Sequence, residues 1–356
     1  MGWHNLIAKS VVALMCSSLF SARSNCEEPT VLIVLGASGE QEYGTIFQAC
    51  GKRWKDAFGE ATIKLLDGTE SSLDHKDRSN SDEVSTEGES PVVPEASHRE
   101  QILDWISQQK TSGDSPAPND LEGNALRNEV RWIILIGHGT TDRTGSKFNL
   151  SGPDLSSKEL AAALKNTDRK WVIVNCSSSS GPFIADLSGA NRIIVTATKS
   201  GAEQNYSRFA DFLSRSLTDP GSDLDHDSQI SVLEAFLASS SSVARFYQDE
   251  GRLATEQALL DDNGDKRGTP ALFFRGLKAI KAPSDGLKLD GEMAKRLIIT
   301  QLSDAIPLNS ENAAKVQEIE AKIELLRQEK GKIDEVVFAD RLEVLLLELA
   351  EVLLPK

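Results

Sequence analysis

Two stretches decide the fold: Val130-Arg131-Trp132-Ile133-Ile134-Leu135-Ile136-Gly137-His138-Gly139 and Trp171-Val172-Ile173-Val174-Asn175-Cys176. Each is a nearly continuous apolar run with β-branched residues, the mark of a strand buried on both faces. Residues 156–165 between them have helical spacing, with Ser156 as a cap and Glu159 three residues on. Upstream, Val31-Leu32-Ile33-Val34-Leu35 ends at Gly36 and reads as another buried strand. A helix over 42–57 follows, with Ile46, Phe47, Cys50, Trp54 and Phe58 on one face, then a strand over 61–66. A helix over 98–109 carries Ile102, Trp105 and Ile106, and residues 191–197 form a further strand. This alternation predicts an α/β fold, with helices on both faces of a mostly parallel sheet. Such sheets gather their chemistry at the carboxyl ends of strands.

The chain has 356 residues, 39% hydrophobic and 26% charged, enough for a large core and unlike a disordered or collagen-like chain. Lys+Arg 39 against Asp+Glu 54 gives a net charge of −15, which repels phosphate backbones and argues against a nucleic-acid partner. The same balance suits divalent cations. Residues 1–24 read as a secretory signal, with Lys9, the apolar run Val11-Val12-Ala13-Leu14-Met15, Leu19-Phe20, and small Ala22 and Ser24 at the cleavage positions. A secreted or periplasmic protein is expected, with no integral membrane segment after signal removal. Losing Lys9 and Arg23 takes the charge to −15 − 2 = −17. Cys16 leaves with the signal, and Cys26, Cys50 and Cys176 remain. Cys26 and Cys50 are placed to pair in an oxidising compartment, leaving Cys176 a free thiol or a buried, inert one.

Residues 67–97 are Ser/Asp/Glu-rich and read as a surface insertion. Beyond residue 203 the pattern is mostly helical. Residues 277–310 read as a linker with a short helix. Residues 311–356 hold two amphipathic segments, with Val316, Ile319, Ile323 and Leu326 in the first and Leu342, Leu345, Leu349 and Val352 in the second. They predict a helical hairpin or a short coiled coil, through which a homo-oligomer could assemble.

His138 ends one predicted strand and Cys176 the next. A thiol nucleophile needs a base, and its oxyanion needs donors, which Gly139 N–H and Cys176 N–H could supply. Ile134-Leu135-Ile136-Gly137-His138-Gly139 followed by Val172-Ile173-Val174-Asn175-Cys176 resembles the His-Gly and strand-end Cys pair of caspase-like clan CD cysteine peptidases, most nearly the legumain family. The helix opened by Asp154-Leu155-Ser156-Ser157-Lys158-Glu159-Leu160 and the passage Val195-Thr196-Ala197-Thr198-Lys199-Ser200-Gly201 fit the resemblance. It covers residues 31–276, weakly at the start and well over 130–265. It implies a caspase-like three-layer αβα sandwich over residues 25–276, and hydrolysis of a peptide or protein substrate through a Cys/His dyad. The legumain pattern Ala-Cys-Glu-Ser-Gly is not kept: Asn175-Cys176-Ser177-Ser178-Ser179-Ser180-Gly181 stands here. Depending on the register of the turn, the nucleophile is Cys176, Ser177 or Ser178, or the fold persists without one. A catalytically inactive homologue acting as a binding module is the alternative.

Within the helical segment 205–265, Asp223-Leu224-Asp225-His226-Asp227-Ser228-Gln229-Ile230-Ser231-Val232-Leu233-Glu234 matches an EF-hand calcium loop between helices predicted over 206–217 and 231–247. Asp223, Asp225 and Asp227 take positions one, three and five, Gln229 offers its carbonyl at seven, Ser231 is at nine and Glu234 at twelve. Ser228 stands at position six, where glycine normally makes the turn, and an acidic capped turn is the plainer alternative. Asp261-Asp262-Asn263-Gly264-Asp265 is a shorter echo, with Asp261, Asn263 and Asp265 at alternate positions and no Glu to close it.

Overall fold

A computed structural model of the chain describes residues 30–59, 61–69, 96–109, 130–165, 167, 169–284, 286, 288–302, 315, 318–319, 322–323, 326 and 333–353. The signal, Cys26 and nearly all of the 67–97 insertion lie outside the described residues.

Strand β1 (Val31–Leu35) leads to helix α1 (Gln41–Phe58), strand β2 (Ile63–Asp67), helix α2 (His98–Gln108) and strand β3 (Val130–Ile136). Three short strands follow, β4 (Gly139–Asp142), β5 (Gly145–Phe148) and β6 (Leu155–Ser156), forming a small antiparallel sheet. Helix α3 (Ser157–Leu164), strand β7 (Lys170–Asn175), helix α4 (Phe183–Leu187) and strand β8 (Arg192–Thr196) complete the region of strongest sequence signal. The expected α3 cap is present: Ser156 and Glu159 bond reciprocally, removing two orphan donors at the helix start.

The chain beyond residue 203 is less helical than its pattern predicts. Helices α5 (Phe209–Ser216) and α6 (Val232–Asp249) flank strand β9 (Gln229–Ser231), and strands β10 (Leu259–Asp261) and β11 (Thr269–Pro270) follow. Strand β12 (Phe274–Arg275) comes next, and the stretch expected to be a linker, 277–310, holds strands β13 (Lys278–Ala279) and β14 (Ile298–Gln301), with helix α7 (Glu292–Arg296) before the last. Of the tail, α8 (Glu335–Leu353) is described in full. The first tail segment lies mainly outside the described residues. Six of its positions are helical, and Ile319, Ile323 and Leu326 among them are buried.

The main sheet has seven strands in the order β11-β10-β8-β7-β3-β1-β2. β2, β1, β3, β7 and β8 are parallel, and β10 and β11 extend the edge antiparallel. Alternation of side chains splits the core in two. Ile33, Ile134, Val174 and Val195 meet Phe47 and Trp54 of α1, Leu213 of α5 and Phe236 of α6. Leu32, Ile133, Ile173 and Ile194 meet Trp105 of α2, Leu160 of α3 and Phe183 of α4. Helices therefore cover both faces, as an αβα sandwich requires. β2 lies on one side of β1 and β3 on the other, so the order reverses between β1 and β3, where open α/β sheets form a crevice at their carboxyl ends.

Candidate functional site

His138 sits at that reversal. Its Nε2 donates to the Ser38 carbonyl, 3.2 Å away, just past the end of β1. Rings of Tyr43, Phe47 and Tyr206 surround the imidazole at centroid distances of 5.0, 5.4 and 6.0 Å. Burial pushes its pKa below the ordinary histidine value, partly offset by the Ser38 bond and by Glu40. The neutral imidazole is therefore favoured, as a base requires.

Cys176 lies on the same face of the sheet but inside it. It is 1% exposed, in the apolar layer with Val174, Ile136, Cys50 and Ala197. Burial raises its thiol well above the ordinary value, with Cys50 and Glu256 adding to the effect. A reactive thiolate needs a cationic, accessible setting, and this one is the reverse. Cys50 is also a buried free thiol. No hydrogen bond joins the imidazole to Cys176, Ser177 or Ser178 among the described residues.

The serines after β7 are turned inward. Ser177 Oγ donates to Asn175 Oδ1 at 2.7 Å. Ser178 Oγ donates to the Gly139 carbonyl at 3.0 Å and accepts from Gly139 N–H at 3.2 Å. Ser179, at φ 54°, donates its hydroxyl to the Gly201 carbonyl and its N–H to that of Glu203. Ser180 Oγ accepts from Ala197 and Thr198 N–H. All four are buried. Both expected oxyanion donors are likewise committed, Gly139 N–H to Ser178 and Cys176 N–H to the Leu135 carbonyl at 2.9 Å. Gly139 has a packing reason to be glycine, since a Cβ would lie 2.4 Å from the Ser178 carbonyl oxygen.

The acidic loop is built differently. It lies between α5, with a short 3-10 turn at Pro220–Ser222, and α6. Carboxylate oxygens of Asp223, Asp225 and Asp227 lie within 4.8 Å of one another. Ser228 adopts φ 68°, the left-handed conformation that glycine supplies at position six. Glu234 closes the loop: Oε1 accepts from Leu224 and Asp225 N–H, and Oε2 from Ser231. Ser231 is thereby also the cap of α6, bonded reciprocally to Glu234. Gln229 opens β9, which pairs with β14 and braces the loop from outside. Burial raises all three aspartates above the ordinary range, Asp227 to about 7; repulsion adds to it, from Glu234 at Asp223, from Asp223 at Asp225, and from Asp225, Glu234 and Asp223 at Asp227. The donor set passes a test of fit for a hard cation. It offers only oxygen, and Asp225 Oδ1 is buried without a hydrogen-bond partner.

Asp261 ends β10, and Asn263 and Asp265 lie in the turn to β11. Asn263 Oδ1 accepts from Asp265 N–H, and its amide donates to the Lys288 carbonyl. Two further carboxylates, Asp262 and Asp290, are packed here and were not singled out from sequence. Asp262 accepts from Gly291, Met293 and Ala294 N–H at the start of α7. Asp290 accepts from Asp262 and Asn263 N–H and from Thr269 Oγ1. A proline or glycine pattern gives no hint of such long-range caps. No protein-family model matches the chain, and no curated protein matches it. No helix among the described residues is long and apolar enough to cross a membrane.

Proposed function

We propose that the chain is an extracytoplasmic binding module on a caspase-like, legumain-like fold, stabilised by calcium at residues 223–234 and without peptidase turnover. The observation that carries this reading is the setting of Cys176: a buried thiol in an apolar layer, with no bond to His138 and with both oxyanion donors committed inside the protein. The inward serines support it, since neither Ser177 nor Ser178 offers a free, exposed hydroxyl beside the imidazole. The partner is a peptide or protein segment lying across the carboxyl ends of the strands. A 510 Å³ cleft past the end of β8, lined by Lys199, Glu203, Leu237, Ser240 and the buried Glu256, offers apolar and charged contacts.

A thiol-reactive peptide electrophile tests the reading against the peptidase alternative. The native protein is expected to leave a peptide library uncut in calcium and to resist labelling, with Cys176 modified only in denaturant. Native labelling at Cys176 that His138→Ala slows, or cleavage that Ser178→Ala abolishes, overturns it. Amino-terminal sequencing of exported protein is expected to begin between Arg23 and Cys26.

A further inference from the structure

The β10–β11 turn closes the antiparallel edge of the main sheet. Asp261 stands at its first position and is 1% exposed. The Gly264 N–H serves its Oδ1, yet Oδ2 is buried with no partner. Asp265, four residues on, accepts from Arg267 N–H through Oδ1, and its Oδ2 is also buried and without a partner. Gly264, at φ 78°, makes the bend between them. The two neighbouring carboxylates behave otherwise: Asp262 and Asp290 spend their oxygens on N–H and O–H donors. No lysine or arginine among the described residues forms an ion pair with any of the four.

A buried carboxylate oxygen without a donor is costly unless a proton or a cation satisfies it. Asp265 and Asp262 add repulsion to the burial of Asp261. We propose that the β10–β11 turn holds a second divalent cation, bridged by the uncommitted oxygens of Asp261 and Asp265. Calcium fits the oxygen-only donor set, with waters or backbone carbonyls completing its shell. The site has a structural consequence. Residues 288–301 form a strap that touches both acidic loops: Asp290 holds the Asp262 and Asn263 N–H groups, Lys295 Nζ lies 3.8 Å from Asp225 Oδ2, and β14 pairs with β9. A cation at Asp261 and Asp265 fixes the end of the strap farther from residues 223–234.

The inference stands on its own residues, and its test separates it from the first loop. Calorimetric titration of the full mature chain with calcium is expected to give two sites, falling to one in Glu234→Gln and to one in Asp265→Asn. A single site that Glu234→Gln removes overturns the second cation and leaves the first. A single site that Asp265→Asn removes does the opposite. Crystals grown in manganese give a readout that needs no variant. An anomalous peak between Asp261 and Asp265 is expected, and its absence at saturating manganese means that a shared proton satisfies these oxygens and the proposal fails.

Discussion

The turn after β7 and the loop over 223–234 are both rich in small polar residues, and they end in opposite states. In the first, four serine hydroxyls are satisfied by nearby backbone or side chains, leaving Asn175 Nδ2 as the orphan. In the second, three carboxylates crowd together, and N–H donors reach Asp223 and Asp227 but leave the buried Asp225 Oδ1 bare. A polar turn that serves the fold uses up its own hydrogen bonds. A turn shaped for a ligand keeps oxygens it cannot satisfy alone. The strand-end turn therefore reads as a clasp between β7, β8 and the β4 hairpin, in contrast to the acidic loop, the proposed receptor for a cation.

The comparison breaks most visibly at Gly139. An added Cβ meets the Ser178 carbonyl at 2.4 Å and Ser177 Oγ at 2.7 Å, both in buried structure. Gly139→Ala is expected to destabilise the protein by about 3 kcal/mol, the upper end for overpacking, as measured by denaturant unfolding. A change within a few tenths of a kcal/mol would mean that the clasp is loose and the turn free to open toward a substrate.

The receptor half is tested by calcium. Binding to the folded state alone adds RT ln(1 + [L]/Kd), about 2.7 kcal/mol at a hundredfold excess. Thermal melts in calcium and in chelator are expected to differ accordingly, and Glu234→Gln to shrink the difference. The chelated protein also carries a pH signature. Asp227 titrates near 7 when folded, against an ordinary aspartate value when unfolded. Between about pH 4 and 7 the native state then binds more protons than the unfolded chain, so stability falls as pH rises through that window. Calcium is expected to remove the fall. Identical melts at every pH with and without calcium would reduce the loop to a capped helix connection.

The central strands and one helix cap are legible in the sequence. β1, β3, β7 and β8 are written as continuous apolar runs, and the Ser156 and Glu159 cap is local. The left-handed turn at Ser228 follows from the loop register. Less legible were β10, β11 and β14, which are two to four residues long; β10 and β14 are defined by partners far away in sequence, and β11 by its pairing with β10. Asp290 escaped notice because its donors lie about 21 to 28 residues upstream. The fate of Cys176 was half written. It shares parity with Val172 and Val174 and so faces α1, but its cover by Ala197 and Cys50 depends on tertiary packing.

That cover supplies a smaller test. Cys176→Ala removes one buried sulfur and is expected to cost about 1–2 kcal/mol through the cavity it leaves. Ser178→Ala is expected to cost about as much by another route, because Gly139 N–H loses its acceptor in a buried site. If Cys176→Ala is neutral by chemical denaturation, the thiol is not packed as described, and its inert role weakens with it.

The smallest effect sharpens the receptor side. Ser228 holds φ 68° and His226 φ 59°, both in the left-handed region. A residue with a Cβ pays roughly 1–2 kcal/mol there. Glycine escapes that cost but gives back about 0.5–1 kcal/mol through the greater freedom of its unfolded chain. Ser228→Gly is therefore expected to stabilise the protein by about 0.5 kcal/mol in chelator. The Ser228 N–H donates to Asp223 Oδ2 at 2.9 Å, so relaxing this turn also relaxes the carboxylate at position one. Calcium affinity is expected to stay nearly unchanged, because the left-handed turn is already present in the folded loop and its relief stabilises the free and the filled loop alike. His226→Gly serves as the comparison, because its side chain is exposed and its N–H also reaches the Asp223 carboxylate. It is expected to recover a similar stability, again with little change in affinity. A clear gain in affinity from Ser228→Gly and none from His226→Gly would instead mean that the position-six turn tightens further as the ion enters.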